Sequence, residues 1–349
     1  MYLNSILLYY RKIYRTRSVA TILHSQYNRT MVQNETFFES SDGVKLHLYC
    51  WSPEPESPVK TKAVLHIVHG MAEHALRYRF LAEILTEAGI EVWAADQRGH
   101  GKTADLNINR PDKGGLLGHC ADGCGFTRVT ADIHAINKEI KKTRNVPLFL
   151  LGHSWGSFIV QNYIEYSDNI KVNGCILSGT QGPGGFKIKA GVVAMSLLTM
   201  LNGQRKASKL AKAMADGPYS KAFKPSRTQF DWLSRDDNEV DKYIADPLCG
   251  FLCSCGFYHD LAGLLYNIHR HDAMARIDTT LPVYVFSGSA DPVGDMGRGP
   301  TVLVKAYRDL GITDCEFVLY PGARHEALNE TNRKEVTDNL LAWINKRCE

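Results

Sequence analysis

The stretch that decides the fold is FLLGHSWGSF, residues 149–158, which places Ser154 between Gly152 and Gly156. The apolar run VPLFLL leads into this Gly-x-Ser-x-Gly pattern, and SFIVQNYIEY follows with the composition of a helix. In a nucleophile elbow, a serine occupies a strained turn between a strand and a helix. Flanking glycines are needed there because side chains would strike the packed strand or helix. The sequence therefore predicts that Ser154 is a nucleophile.

Short apolar runs recur along the chain, and each is followed by a longer segment of mixed polarity. This alternation is typical of βα units, and the continuous hydrophobicity of the runs predicts strands covered on both faces. Two alternating segments, residues 35–39 and 44–51, are joined by Ser41-Asp42-Gly43 and predict an antiparallel hairpin at the sheet edge. The sequence thus predicts an α/β fold with a doubly wound, mostly parallel sheet. Its core strands are predicted at residues 63–68, 90–95, 148–151, 174–177, 283–287 and 316–319.

About a hundred residues separate the predicted strand that ends near Ser178 from the one that begins near Leu281. A crossover helix requires far fewer. We expect the surplus to fold as an inserted helical cap over the carboxyl ends of the strands, where open α/β sheets hold their ligands. The predicted domains are a core of residues 35–181 and 279–349, and a cap of residues 182–278.

Residues 1–34 differ from the rest of the chain because they carry five basic residues and no acid. Such a composition is typical of targeting segments, but we expect a poorly ordered basic extension upstream of a start at Met31. The nine cysteines are scattered, odd in number and not preceded by a recognisable secretory leader, which favours reduced thiols and a cytoplasmic location. The longest apolar run, residues 191–201, is too short to cross a bilayer.

The charge balance and the local motifs argue against nucleic-acid, metal and nucleotide ligands. Basic residues exceed acidic ones by only four, which does not indicate a nucleic-acid partner. Cys249, Cys253 and Cys255 include no Cys-x-x-Cys pair, so we expect buried thiols and no metal. The segment GHGKT at residues 99–103 resembles the end of a phosphate-binding loop, but Asp96 stands where that loop needs a glycine. We therefore expect a structural loop and no cofactor.

A serine hydroxyl becomes nucleophilic when an imidazole accepts its proton and a carboxylate orients that imidazole. Asp291 follows the predicted strand at residues 283–287, and His325 follows the last predicted strand after a Pro-Gly turn. The order Ser, Asp, His is the one expected when an elbow serine lies on this kind of sheet. The sequence therefore predicts Asp291 and His325 as the partners of Ser154.

Other histidines and acids are alternatives to these partners. His153 is adjacent to Ser154, and we expect it to point away and to pack or form a hydrogen bond. Asp295 and Glu326 are the alternative acids, although neither directly ends a strand. Four histidines precede the serine and so conflict with the expected order: His69, His74, His100 and His119.

An oxyanion hole needs two backbone N–H donors, one from the residue after the nucleophile and one from a loop after an early strand. Trp155 provides the first. The predicted strand at residues 63–68 runs into HGMAEH, and we assign the second donor to Met71, with Gly70 allowing the backbone to approach closely.

In combination, these motifs resemble those of the monoacylglycerol lipase and lysophospholipase group of serine α/β-hydrolases, which includes proteins labelled serine aminopeptidases. The resemblance extends from about Glu35 to Trp343 and is carried by HGMAEHALRY, ADQRGHGKT, GHSWGS, DPL, SGSADPV and YPGARHE. It implies the α/β-hydrolase fold. It also implies the nucleophile, acid, base and two oxyanion donors assigned above: Ser154, Asp291, His325, Met71 and Trp155.

The resemblance further implies that Glu73 and Arg77 line the polar end of a substrate pocket. The first hypothesis for function is a cofactor-free carboxylester hydrolase that cleaves a small acyl ester, a monoacylglycerol or a lysophospholipid, through an acyl-serine intermediate. Residues 192–201 are candidates for an acyl tunnel or a peripheral contact with a lipid surface, and the core of the cap is the alternative.

Two further hypotheses remain. A serine aminopeptidase would share the triad but would need an anionic pocket for the substrate amine. The candidate acids in the cap are Asp236, Asp237, Glu239 and Asp241. A non-catalytic binding protein on the same scaffold is the third hypothesis, and the intact set of three catalytic residue types argues against it.

Overall fold

The structure, a computed structural model, describes residues 31–166 and 170–348. Residues 1–30, which make up most of the predicted basic extension, lie outside the described residues. An eight-stranded sheet forms the centre of the fold. Its strands are β1 (Met31–Glu39), β2 (Lys45–Pro53), β3 (Ala63–Val68), β4 (Ile90–Ala95), β5 (Leu148–His153), β6 (Gly174–Ser178), β7 (Val283–Gly288) and β8 (Cys315–Tyr320).

The strands are ordered β1-β2-β4-β3-β5-β6-β7-β8 across the sheet. β2 is antiparallel to both β1 and β4, whereas all pairs from β4 through β8 are parallel. The predicted doubly wound, mostly parallel sheet is therefore confirmed. The predicted hairpin lies at the sheet edge, and its turn is closed by Gly43, which has a φ of 77° and donates to the Ser40 carbonyl at 2.8 Å.

β1 begins earlier than the sequence predicts, because residues 31–34 belong to the strand and not to an extension. Met31 is paired with Pro53 at the far end of β2. The indole N–H of Trp51 donates to the side-chain oxygen of Gln33 at 2.9 Å. Pairing along the full length of β2 thus orders a segment that shows no clear alternation of its own.

The helices cover both faces of the sheet. In the described residues they are α1 (Arg79–Glu87), α2 (Gly101–Leu106), α3 (Gly125–Thr143), α4 (Trp155–Ile164), α5 (Phe186–Asn202), α6 (Lys209–Ala215), α7 (Gly217–Lys221), α8 (Asp237–Ala245), α9 (Cys255–Ile268), α10 (His271–Met274), α11 (Arg298–Asp309) and α12 (Arg333–Asn345). Phe149 and Leu151 belong to an apolar cluster with α1 and α12, and Leu150 belongs to another with α3, α4 and α11. Successive strand residues point to opposite faces, so both faces are buried.

Helices α5–α10 all lie between β6 and β7 in the chain. Helix α9 packs against α5 and also against α4, which follows the elbow. The rings of Phe257 and Trp155 lie 5.1 Å apart, so one apolar cluster continues from the sheet into this helical segment. We retain residues 182–278 as the proposed cap and residues 35–181 and 279–349 as the proposed core.

The topology predicts where a ligand binds. From β3 the chain moves to β4 on one side and then returns to β5 on the other side of β3. The loops that leave β3 and β5 therefore diverge from neighbouring strand ends, which is where open α/β sheets form their binding crevice. In residues 31–166 and 170–348, no helix has the length and apolar character needed to cross a membrane.

Candidate active site

Ser154 lies in the tight turn between β5 and α4 with φ 53° and ψ −123°. A positive φ is strained for a residue with a side chain. A Cβ atom on Gly152 would lie 2.4 Å from the Gly156 carbonyl oxygen, and one on Gly156 would lie 2.1 Å from that of Val68. Both flanking glycines are therefore required by close backbone packing, as the sequence predicts. The helix begins at Trp155, two residues before its predicted start.

His325 and Asp291 meet across the strand ends of β7 and β8. His325 Nδ1 lies 3.0 Å from each carboxylate oxygen of Asp291. Asp291 is fully buried and also accepts hydrogen bonds from the Val293 amide at 2.9 Å and the Ser287 hydroxyl at 3.2 Å. Because the carboxylate accepts a hydrogen bond from the Nδ1–H group, Nε2 of the neutral ring is left as the basic nitrogen.

Two opposing effects set the pKa of His325. Burial disfavours the charged imidazolium and lowers the pKa, whereas the negative charge and hydrogen bond of Asp291 raise it. The second effect prevails, and the pKa of His325 is raised above its ordinary value. The ring is thus suited to hold a proton taken from a hydroxyl.

Ser154 and His325 line one cavity of about 30 Å³, which also includes Met71 and Glu73 in its wall. In the described part of the chain, no hydrogen bond joins the Ser154 hydroxyl to the His325 ring. Catalytic hydrogen bonds often become short and well aligned only in the complex with substrate. The structure therefore brings the predicted nucleophile, base and acid to one place.

The predicted oxyanion donors flank the same serine. Trp155 is the first residue of α4, and neither its amide nor that of Met71 donates a hydrogen bond to another described residue. Gly70 packs so closely that a Cβ atom there would lie 3.3 Å from the Cβ atom of Ser154. Two free N–H groups beside the elbow are what an oxyanion hole requires.

The cap holds the loop that carries Met71. Ala72 has a φ of 54°, and its carbonyl accepts hydrogen bonds from the Gly250 amide at 2.9 Å and the Tyr243 hydroxyl at 3.0 Å. The residue after Met71 is therefore held by two hydrogen bonds from the proposed cap.

Glu73 lines the cavity, but its oxygens are already occupied. One oxygen accepts from the Gly70 amide at 2.6 Å and the Tyr78 hydroxyl at 2.9 Å, and the other accepts from Arg77 at 2.6 Å. Burial raises the pKa of Glu73, but the charge of Arg77, together with nearby histidines and the Gly70 amide, lowers it to about 2. Glu73 is therefore an ionised anchor of the oxyanion loop.

Arg77 is placed differently from the expectation that it lines the pocket. Its guanidinium donates to both oxygens of Glu326, at 2.8 and 2.7 Å, as well as to Glu73. It lies in the wall of a separate surface cavity and not among the residues around Ser154. The physical reason is that the guanidinium binds two buried carboxylates, those of Glu73 and Glu326, and does not border the cavity that contains Ser154.

The alternative histidines and acids have other partners. His153 is buried beside the cavity, and its Nδ1 lies 3.2 Å from the Ser178 hydroxyl. Asp295 is exposed and binds Arg298 at 2.8 Å. The four earlier histidines form hydrogen bonds with other groups: His69 with Gly70 and Gln97, His74 with Asp246, His100 with Arg98, and His119 with Ser254 and Asp122.

The cysteine cluster was considered as a metal site in the sequence, and the structure shows how its residues are placed. Cys249, Cys253 and Cys255 are buried thiols, as expected. In the described residues, one group of three potential metal ligands lies within 4.8 Å, formed by His74, Asp246 and Cys249. A hydrogen bond of 2.8 Å between His74 and Asp246 accounts for their approach.

Asp96 has a structural role in its loop. One of its oxygens accepts from the Ala75 amide at 2.9 Å, and the other accepts from the Lys102 amide at 2.8 Å. Its carboxylate therefore fastens the segment after β4 to the segment that follows the oxyanion loop.

Sequence reasoning missed the cap residues that close the cavity. Trp232 places its ring 5.2 Å from that of His325, and its carbonyl accepts the His325 amide at 3.3 Å. Lys212, in the middle of α6, and Asp216, directly after this helix, also line the cavity. Their segment, ASKLAKAMAD, shows only a helical composition, so no local pattern indicates a contact with the site.

The fold and the elbow above the switch in strand order define a serine hydrolase of the α/β-hydrolase class. Residues 59–332 match the family model described as serine aminopeptidase, S33, and the chain belongs to this family.

Named relatives support the same class. The chain is 28% identical over 317 residues to a monoacylglycerol lipase of Mycolicibacterium smegmatis, covering 89% of this chain and 97% of the relative. It is 28% identical to a monoglyceride lipase of Mus musculus, covering 88% and 89%. A solved carboxyl esterase of Bacillus coagulans is 26% identical, with a TM-score of 0.79 and coverage of 92% and 100%. The predicted family resemblance and the predicted class of serine carboxylester hydrolase are confirmed.

Proposed function

We propose that this enzyme hydrolyses the single acyl ester of a monoacylglycerol or lysophospholipid through an acyl-serine intermediate. The observation that carries the proposal is the convergence of Ser154 with the His325–Asp291 pair in one cavity at the switch in strand order. The named lipases among the relatives agree with a lipid ester as substrate.

In this mechanism, His325 Nε2 accepts the Ser154 proton as the serine oxygen attacks the ester carbonyl. The amides of Met71 and Trp155 bind the oxyanion that forms. His325 then gives the proton to the alcohol oxygen as the ester bond breaks, and the alcohol leaves. A water molecule, deprotonated by His325, attacks the acyl-serine; the fatty acid is released as His325 returns the proton to the Ser154 oxygen.

The cap acids considered for an aminopeptidase do not surround the catalytic cavity. Asp237 is 70% exposed, Asp241 binds Arg227 at 2.6 Å and Glu239 binds Lys242 at 2.8 Å. Asp236 caps α8 by accepting the Asn238 amide at 3.0 Å. These contacts belong to the cap surface and supply no acceptor for a substrate amine at Ser154.

We expect the purified protein to hydrolyse monoacylglycerols and 4-nitrophenyl esters with a larger kcat/KM than aminoacyl amides. Initial rates over a panel of these substrates test the expectation, with protein inactivated by a fluorophosphonate as the blank. Faster cleavage of aminoacyl amides would overturn the ester assignment in favour of a peptidase.

Substrate entry requires the cap to move. A cavity of about 30 Å³ is far below the roughly 300–1,000 Å³ of pockets that hold drug-sized ligands. A second cavity of about 430 Å³ lies beyond it, and both are bordered by Lys212, Asp216, Phe230 and Trp232. We propose that this outer cavity is the entrance and that displacement of these side chains joins the two.

Exposed apolar side chains lie on two consecutive helices of the proposed cap, and the second of these helices borders the entrance. Six side chains of α5 and α6 are 47% to 78% exposed, and we call them the apolar cap face: Val193, Leu197, Met200, Leu201, Leu210 and Met214. The first four follow helical spacing and share one face of α5. Helix α6 also supplies Lys209 and Lys212 to the outer cavity. We propose that this face contacts the lipid surface from which the substrate enters.

The double variant Leu197→Glu with Met200→Glu tests this contact. Each substitution removes about 1.5–3 kcal/mol of apolar burial at a lipid surface, so we expect at least a 10-fold lower turnover of emulsified long-chain monoacylglycerol. Hydrolysis of water-soluble 4-nitrophenyl butyrate should change little. Val302→Glu on α11, where the valine is 43% exposed, is the matched control. Equal turnover of the emulsion by the double variant and the control would argue against the contact.

We also propose a cytoplasmic location. The described residues include all nine cysteines, and no disulfide joins any two of them. A chain with many cysteines and no disulfide is typical of proteins in a reducing compartment.

A further inference from the structure

We infer that Asp216 forms a subsite for a free hydroxyl group on the alcohol part of the ester, an inference that rests on the proposed function. The Asp216 side chain is only 7% exposed and borders both the catalytic and the outer cavity. Its Oδ1 atom is buried and has no hydrogen-bond partner among the described residues. A buried carboxylate oxygen without a donor is costly, so a ligand that supplies one would bind there favourably.

The other acids around the catalytic cavity do not offer such an oxygen. Glu73 is occupied by Gly70, Tyr78 and Arg77. Glu326 binds Arg77 through both oxygens and also accepts from the Asn329 side chain at 2.9 Å. Of the three acids that border this cavity in the described chain, Asp216 is therefore the one with a carboxylate oxygen that has no hydrogen-bond partner.

The ion pair between Asp216 and Lys212 favours a neutral hydrogen-bond donor over a cationic one at Oδ1. Its other oxygen, Oδ2, forms an ion pair with Lys212, one helical turn earlier. The carboxylate is thus already neutralised, and an ammonium group at Oδ1 would also face the Lys212 cation. A neutral hydroxyl donates a hydrogen bond without this repulsion. Monoacylglycerols and glycerol-based lysophospholipids both carry such a hydroxyl beside the acyl ester.

The position of Asp216 suits this role. Because it borders both cavities, a head group that passes from the outer cavity toward Ser154 passes this carboxylate. The Lys212–Asp216 pair therefore forms part of the barrier to entry and also presents the acceptor for the alcohol once the acyl carbonyl reaches the elbow.

Asp216→Asn tests the inference, because the amide has the same shape but can place its NH₂ group where Oδ1 stands. The substrates are a monoacylglycerol and the methyl ester of the same fatty acid, which has no hydroxyl. We expect kcat/KM for the monoacylglycerol to fall more than that for the methyl ester, so that their ratio drops about 10-fold or more. Asp237→Asn, at an exposed acid of α8, is the matched control and should leave the ratio unchanged.

The outcomes separate the inference from the proposed function. An equal loss on both esters in Asp216→Asn and Asp216→Ala would overturn the hydroxyl subsite while leaving the hydrolase intact. Faster wild-type turnover of the 2-aminoethyl ester than of the glycerol ester would overturn the choice of a neutral donor. No turnover of any ester by the wild-type protein would overturn the proposed function and the subsite with it.

Discussion

We expect Ser154→Ala to abolish covalent labelling by a fluorophosphonate probe and to lower kcat for ester hydrolysis by about 10⁵- to 10⁶-fold. The variant retains the cavity and the two free amides, but it has no hydroxyl to form the acyl-enzyme. The residual rate then reflects oxyanion stabilisation and binding alone. In-gel fluorescence measures the labelling, and initial rates with 4-nitrophenyl butyrate measure the loss.

The matched control for this variant is Ser41→Ala in the exposed turn of the edge hairpin, which should label and turn over like the wild type. Both variants should show the thermal unfolding midpoint of the wild type within a few degrees. Labelling that persists in Ser154→Ala would assign the nucleophile to another residue and reject the mechanism.

Much of the sheet was predictable because its signals are local. Residues 63–68 and 90–95 are runs with one polar residue each, bounded by polar turns, and the structure has β3 and β4 at these bounds. β5 extends to His153, beyond its predicted end, because the ladder with β6 continues to the residue before the elbow. The start of β1 was wrong because its pairing with β2, and not its own alternation, orders residues 31–34.

In the candidate site, too, local sequence signals reveal some residues, whereas others are recognised only from the tertiary structure. Ser154, Asp291 and His325 each follow a strand, so their order and spacing are visible in the sequence. The position of Arg77 is not, because it depends on Glu326, which lies 249 residues away in the chain. Asp216 shows no motif at all, and its importance arises from tertiary packing that leaves one oxygen without a donor.

Asp291→Asn is expected to lower kcat for ester hydrolysis by about 10⁴-fold while leaving the fold intact. The amide occupies the same volume but cannot stabilise the imidazolium, and it no longer fixes the tautomer that leaves His325 Nε2 free to accept the serine proton. Asp295→Asn is the matched control, since this exposed acid lies four residues away and binds Arg298. A loss of activity in Asp295→Asn instead of Asp291→Asn would exchange the roles of the two acids.

The pH profile distinguishes loss of this acid from a structural defect. Hydrolysis needs neutral His325, and its pKa is raised because Asp291 outweighs burial. Activity in the wild type should therefore rise with pH through a midpoint above about 6.5, the ordinary value for histidine. In Asp291→Asn the carboxylate charge is gone while burial still lowers the pKa, so the midpoint of the residual activity should move to lower pH. An unchanged midpoint, measured from kcat/KM between about pH 5 and 9, would show that Asp291 does not set the charge of the catalytic base.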